Sequence, residues 1–355
     1  MNTRAAINSA TVRQRRAARI AAAVAIAVGS IAPIVRAAGS LDSHATFDAY
    51  SPLSRSTEIA RRVLTPLTYR RAQLRFTDLE AQPIDLSQER FAVYVPDGPA
   101  PPGGYGLLVF IPPWREASLP DGWSPILDRD HMIFVSAANS GNDAGTLDRR
   151  VPLALVGYEN IRRRYAIDPN RVYVGGMSGG SRVALRVALA YPDVFRGALL
   201  NAGSDPIGTD AIALPPDALM RRFQASSRIV LVTGERDEVN RHNDLVSEKS
   251  LRAWCALDVD SFVQPRRGHA VMDAAGLAKA LDRLDAPRGV DPAKLDACRK
   301  SLDRDLAARV AEVSSMLDRH DANGADHAIK AIDARYGGMA ESAIDDLARR
   351  LGALR

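Results

Sequence analysis

The chain is poor in the residues that build metal and redox centres. It has two cysteines, Cys255 and Cys298, and six histidines in 355 residues. Neither cysteine has metal-ligand spacing, and no phosphate-cradling glycine loop or dinucleotide fingerprint is present, so no metal and no cofactor is expected. Acid is missing from residues 1–37, which carry Arg4, Arg13, Arg15, Arg16, Arg19 and Arg36. Those six account for the formal charge of +5; beyond them 41 basic residues face 42 acidic ones. Without a concentrated basic patch, nucleic-acid binding is excluded as the main activity. A long apolar run is missing too. The one from Ile20 to Val35 is interrupted by Gly29 and Pro33 and falls short of the about 20 residues a membrane span needs.

What the first 37 residues do contain is the three-part pattern of a secretory signal. The basic run RQRRAAR precedes the apolar run, and Val35-Arg36-Ala37 supplies a small-x-small cleavage site. An uncleaved N-terminal anchor is the alternative. Arg15-Arg16 lacks the apolar residues expected just after a twin-arginine pair, so the general export route is expected, leaving a periplasmic or secreted protein with no stable membrane span after cleavage. An oxidising compartment permits a disulfide between Cys255 and Cys298, closing a loop of about 43 residues; two buried thiols are the alternative.

Residues 38–82 read as a polar lead segment, with a short helix around Ser56 to Val63. From there, apolar strand-like runs (90–96, 106–112, 132–139, 171–176, 196–203 and 228–234) alternate with helix-like segments at Pro152–Tyr165, Ser181–Tyr191 and Asp217–Gln224. Continuous apolar runs suit strands buried on both faces. Alternation implies βαβ units, hence an α/β domain over 83–286 with a mainly parallel sheet covered by helices on both faces. After PRGVDP the character changes. Leu295, Cys298, Leu302, Leu306, Val310, Val313 and Leu317 recur at three- and four-residue steps, so 287–355 is expected to be a C-terminal helical extension, able to pair two copies or to cover a site. DRHDANGADHAI (318–329) has the flavour of a calcium loop. Its register, however, puts Arg319 and Lys330 where ligands belong, so it is a turn between helices.

The chemistry is expected around VGGMSGGS (174–181), where Ser178 lies between a strand and a helix in a G-x-S-x-G pattern. That is the strand-turn-helix context of a nucleophile elbow; a glycine-rich turn with an incidental serine is the bland alternative. A hydroxyl needs a base held by an acid, and on such an elbow the order is serine, acid, histidine. His44 and His131 precede the serine, His320 and His327 lie in the tail, and His242 follows the acid too closely. His269 remains. Asp237, just beyond RIVLVTG, is the expected acid, ahead of Asp244 and Asp205. The N–H groups of Gly179 and Trp114 are the expected oxyanion donors, because Pro112 and Pro113 have none. Asn139, Asn142 and Met177 are candidates for substrate contact.

The runs YGLLVFIPPW, IDPNRVYVGGMSGGSRVALRVALAYPDVFRGALLNAG, VTGERD and GH resemble exported α/β-hydrolase esterases, in the polyhydroxybutyrate depolymerase and feruloyl esterase-like branch. The resemblance covers about residues 83 to 285. It implies an α/β-hydrolase fold and a Ser-Asp-His hydrolase acting on a small-molecule or polymeric ester through an acyl-enzyme. The Pro112-Pro113-Trp114 loop departs from the His-Gly many such enzymes carry, and the tail lies outside the likeness. A peptidase of the same fold, or a catalytically silent binding protein, are the rival readings.

Overall fold

The structure is a computed structural model that describes residues 39–75, 81–287 and 289–354. The signal peptide expected over 1–37 lies outside them. Eight strands form one sheet: β1 (Ser40–Ala45), β2 (Phe91–Val95), β3 (Tyr105–Ile111), β4 (Met132–Ala137), β5 (Ile167–Met177), β6 (Gly197–Asn201), β7 (Arg228–Gly234) and β8 (Val259–Gln264). Their order is β1-β2-β4-β3-β5-β6-β7-β8. From β4 to β8 all neighbours run parallel, while β2 is antiparallel to both β1 and β4. This is the α/β-hydrolase fold.

Eleven helices among the described residues connect and extend the sheet. They are α1 (Ser56–Val63), α2 (Pro66–Arg75), α3 (Ser124–Arg129), α4 (Val151–Arg164), α5 (Gly179–Ala190), α6 (Asp217–Ser226), α7 (Glu238–Ala253), α8 (Ala274–Asp285), α9 (Pro292–Asp318), α10 (Ala322–Tyr336) and α11 (Glu341–Gly352). None is long and apolar enough to cross a membrane.

Every residue of β3 is buried, and alternate residues serve different layers, as the two-residue period of a strand requires. Leu107, Val109 and Ile111 join a core with α4, α5 and α6 on one face. Leu108 and Phe110 join Trp123, Leu127, Leu277 and Leu281 of the α3 and α8 side on the other. The apolar runs are continuous for that reason.

Two sequence expectations change. Residues 38–82 contain a strand, β1, whose SLDSHA is polar because all but Ala45 face solvent at the sheet edge. The strand that leads into the Ser178 turn is also longer than expected, since IDPN joins β5 ahead of RVYV. The tail helices lie in one compact unit with the rest of the described chain. Leu295, Val313 and Leu317 are buried, and Leu302, Leu306 and Val310 pack against the same core as α4 and α5. The apolar stripe of α9 is thus used inside the molecule. Gly337, at φ 49°, lets the α10–α11 turn lie against the Leu214 carbonyl, which accepts from the Gly338 N–H at 2.8 Å. The Cys255–Cys298 disulfide is formed, joining the end of α7 to α9.

With the cysteines 43 positions apart in the sequence, the bond's restriction of the unfolded chain is worth roughly 3–4 kcal/mol. Replacing both by serine is expected to lower the unfolding free energy by about that amount in a urea titration. An unchanged midpoint would show that the tail docks without help from the bond.

Candidate active site

Ser178 occupies the turn between β5 and α5 with φ 56° and ψ −121°, a conformation an L-residue adopts only under constraint. The constraint is visible on both sides. A β-carbon on Gly176 would run into the Gly180 backbone, and one on Gly180 into the Ile111 carbonyl. The two glycines therefore let α5 start directly against the ends of β5 and β3. The Ser178 N–H donates to the Asn201 carbonyl of β6 at 2.8 Å, which fixes the turn and leaves the hydroxyl at the surface.

Asp237 caps α7 just past β7 and is 7% exposed. His269 follows β8 on a loop pinned to the end of β7, where the Arg236 N–H donates to the Arg267 carbonyl at 2.8 Å. Gly234 makes that approach feasible, since a β-carbon there would collide with the carbonyls of Arg267 and Gly268. Beyond the histidine, the Met272 N–H donates to Asn201 Oδ1 at 2.8 Å, and Trp123 Nε1 donates to the Met272 carbonyl at 3.0 Å.

The three side chains meet. His269 Nε2 lies 2.9 Å from Ser178 Oγ, and His269 Nδ1 lies 2.7 Å from Asp237 Oδ2. With Nδ1–H donating to the carboxylate, Nε2 is left as the acceptor for the serine hydroxyl. Burial works to raise the Asp237 carboxyl, but hydrogen bonds from His269 and Asn240 outweigh it and hold it below the usual carboxylate range. The histidine side chain is 44% exposed, so a bulky group can reach the serine.

The rival acids are engaged elsewhere. Asp244 is buried and accepts from Ser204 Oγ at 3.0 Å and from the Thr233 hydroxyl; burial pushes it up to about 6. Asp205 pairs with Arg182 at 2.9 Å. Among the described residues no cluster of His, Cys, Asp or Glu is placed to hold a metal ion.

Facing the serine, the 112–115 and 139–142 loops are tied together. The Asn139 N–H donates to the Arg115 carbonyl at 2.6 Å and the Asn142 N–H to the Pro113 carbonyl at 3.0 Å. Beneath them the buried Arg150 guanidinium donates to the carbonyls of Ser140 at 2.9 Å and Pro112 at 3.0 Å. Trp114 is half-buried, its Nε1 donating to Ser118 Oγ at 3.1 Å. Gly179 is the first residue of α5, so its N–H has no acceptor within the helix. Asn142 is exposed, and its side chain stands over Gly179, where a β-carbon would collide with Oδ1. Asn139 is exposed as well, but its backbone is occupied: its carbonyl accepts from Arg149 Nε at 2.7 Å. Met177 corrects the sequence reading. Its side chain is 6% exposed and belongs to the apolar layer on the α3 and α8 face, because the strand period turns it away from the surface on which Ser178 opens.

Three residues of the site escaped the sequence reading: Asn201, Arg150 and Asn240. The signal for Asn240 was its place three residues after Asp237, the spacing at which an N-cap and the first turn of a helix face each other. Nothing local marked the other two.

No protein-family model matches the chain. A stretch of 82 residues is 43% identical to a poly(3-hydroxybutyrate) depolymerase of Ralstonia pickettii, covering 23% of this chain and 16% of that protein. A second stretch of 165 residues is 30% identical to poly(3-hydroxyalkanoate) depolymerase C of Paucimonas lemoignei, covering 37% of this chain and 40% of that one. The chain thus spans less than half the length of the curated relatives it matches. Among solved structures, an S-formylglutathione hydrolase from Staphylococcus aureus overlaps 55% of this chain and 90% of its own, at 12% identity and a TM-score of 0.42. An overlap of that extent adds nothing to the strand order already described.

The raised Asp244 sets a pH dependence of stability. An acid whose folded pKa exceeds its unfolded value binds protons more tightly when folded. Its burial therefore costs little below about pH 4 and destabilises as pH rises through 6. Wild type is expected to lose about 2 to 3 kcal/mol relative to Asp244→Asn between pH 4 and pH 7. A difference that is the same at every pH would contradict the assignment.

Proposed function

We propose that the chain is an exported serine hydrolase that cleaves carboxylic esters through an acyl-enzyme. The observation that carries this reading is the contact series Ser178 Oγ to His269 Nε2 at 2.9 Å and His269 Nδ1 to Asp237 Oδ2 at 2.7 Å. It lies at the carboxyl ends of the parallel strands β5, β7 and β8, where open α/β sheets carry their ligands. The strained serine backbone and the depolymerase names of the two relatives support it.

In this reading Ser178 Oγ attacks the ester carbonyl carbon while His269 Nε2 takes its proton. The N–H groups of Gly179 and Trp114 stabilise the oxyanion; a donor of that kind is typically worth about 10²–10³ in rate. The tetrahedral intermediate expels the alcohol, which receives the proton from His269. Water, deprotonated by the same histidine, then attacks the acyl-enzyme carbonyl; the second tetrahedral intermediate expels Ser178 Oγ, which takes the proton back from His269, and the released acid ionises in solution. Asp237 holds the imidazole in the Nδ1–H form throughout. The exposure of His269 supports an ester presented on a long or bulky chain, in keeping with the polyesters named for the relatives. The arginine-rich start of the chain and the disulfide support export.

A fluorophosphonate probe and a panel of nitrophenyl esters of varied acyl length test the chemistry together. Wild type is expected to be labelled and to turn over short acyl esters far faster than aminoacyl amides. Ser178→Ala is expected to lose labelling and about 10⁴-fold or more in kcat. An unlabelled wild type would sink the reading, and faster amide cleavage would make the protein a peptidase. Activity is expected to fall in acid along a single limb, because Asp237 is held below the usual carboxylate range and adds no limb of its own there. For export, N-terminal sequencing of protein recovered outside the cytoplasm is expected to begin at Ala38; a start at Met1 would make the segment an anchor.

A further inference from the structure

Around the Asp237 carboxylate, more donors gather than a serine, histidine and aspartate alone would bring. Asn240, in the first turn of α7, has Nδ2 at 2.9 Å from Asp237 Oδ1 and 3.0 Å from Oδ2, and 3.1 Å from His269 Nδ1. Its amide orientation follows from the other side: Arg182 Nη2 donates to Asn240 Oδ1 at 3.3 Å. A guanidinium can only donate, so the amide oxygen must face it and the NH₂ must face the carboxylate. Both Asn240 Nδ2 and His269 Nδ1 then donate to the same aspartate, and their 3.1 Å approach is two donors converging on one acceptor.

Arg182 is itself oriented. Its Nε donates to Asp205 Oδ1 at 2.9 Å, and it sits on α5 one turn after Ser178, whose carbonyl accepts the Arg182 N–H at 3.3 Å. Gly203, at φ 118°, leaves the space for Asn240, since a β-carbon there would collide with Asn240 Oδ1. The contacts close a ring: Ser178 to His269, to Asp237, to Asn240, to Arg182, and back along α5 to Ser178.

We propose that Asn240, oriented by Arg182, is a positioning residue that fixes the Asp237 carboxylate and through it the His269 ring. This rests on the serine-hydrolase reading. Asn240 reaches no reacting atom in the described structure. Its effect runs through the acid, by filling lone pairs that would otherwise let the carboxylate rotate away from Nδ1.

The test uses the mature chain with a soluble nitrophenyl ester, with kcat counted per site titrated by the fluorophosphonate. Asn240→Ala is expected to lower kcat by about 10- to 100-fold with KM changed less than about threefold. Its acid limb should move to higher pH, because a carboxylate stripped of a donor attracts imidazolium more strongly. Asn240→Asp adds charge at the same place and is expected to move the limb further the same way; Arg182→Met should move it in the same direction. A purely structural role would reduce the titratable fraction and leave both kcat per site and the limb unmoved, which would overturn the proposal. The low-field proton resonance of His269 Nδ1–H separates the two readings. If it weakens in Asn240→Ala while wild type hydrolyses no ester, positioning stands and the hydrolase reading falls. If it is unchanged in Asn240→Ala, positioning falls whatever the activity.

Discussion

The site depends on how closely α5 can begin against the ends of β3 and β5. That approach is permitted by two missing β-carbons, at Gly176 and Gly180, and it forces Ser178 into a positive-φ turn. Everything else at the carboxyl edge is arranged around the resulting point. The Ile111 carbonyl abuts the helix start, so the Pro112–Trp114 loop is carried next to Gly179, and Asn142 closes over the same spot. Strain of about 1–3 kcal/mol at such a turn persists only when its surroundings over-determine it. Here a backbone bond to Asn201 and the packing of two buried strands do so.

Electrostatics near the site follow a consistent division. The Asp237 carboxylate is given hydrogen-bond donors on several sides, which outweigh its burial. Asp244, about two turns further along α7, is given two hydroxyls, and burial wins. Asp237 caps α7 and Asp244 lies within it; at the first the donors prevail over burial, and at the second burial prevails over the donors. Arginines supply the framework between them. Arg182 braces Asn240, and Arg150 holds two loop carbonyls, a use suited to a planar group with five donors.

The C-terminal helices extend one face of the core. Trp254 and Tyr336 meet edge to face at 5.5 Å, Arg299 Nε donates to Gln224 Oε1 at 2.7 Å, and the disulfide crosses the same boundary. None of these three contacts involves the strand ends bearing Ser178, Asp237 and His269.

Much of the fold was legible because strands buried on both faces demand continuous apolar runs, and six such runs stand out. The edge strand β1 was not legible, since five of its six residues are exposed and polar residues in such a strand look like a loop. The sequence by itself determined the strand-glycine-helix turn at Ser178, the order of Ser178, Asp237 and His269 after successive strands, and the tail helices. Each of these is local, written in glycine spacing, helix period or position after a strand. Only the tertiary structure decided that Met177 turns inward and that Asn240, Arg182 and Arg150 gather beside the residues the sequence had singled out. Those choices depend on which side chains converge from different strands and helices, and no spacing along the chain encodes that convergence.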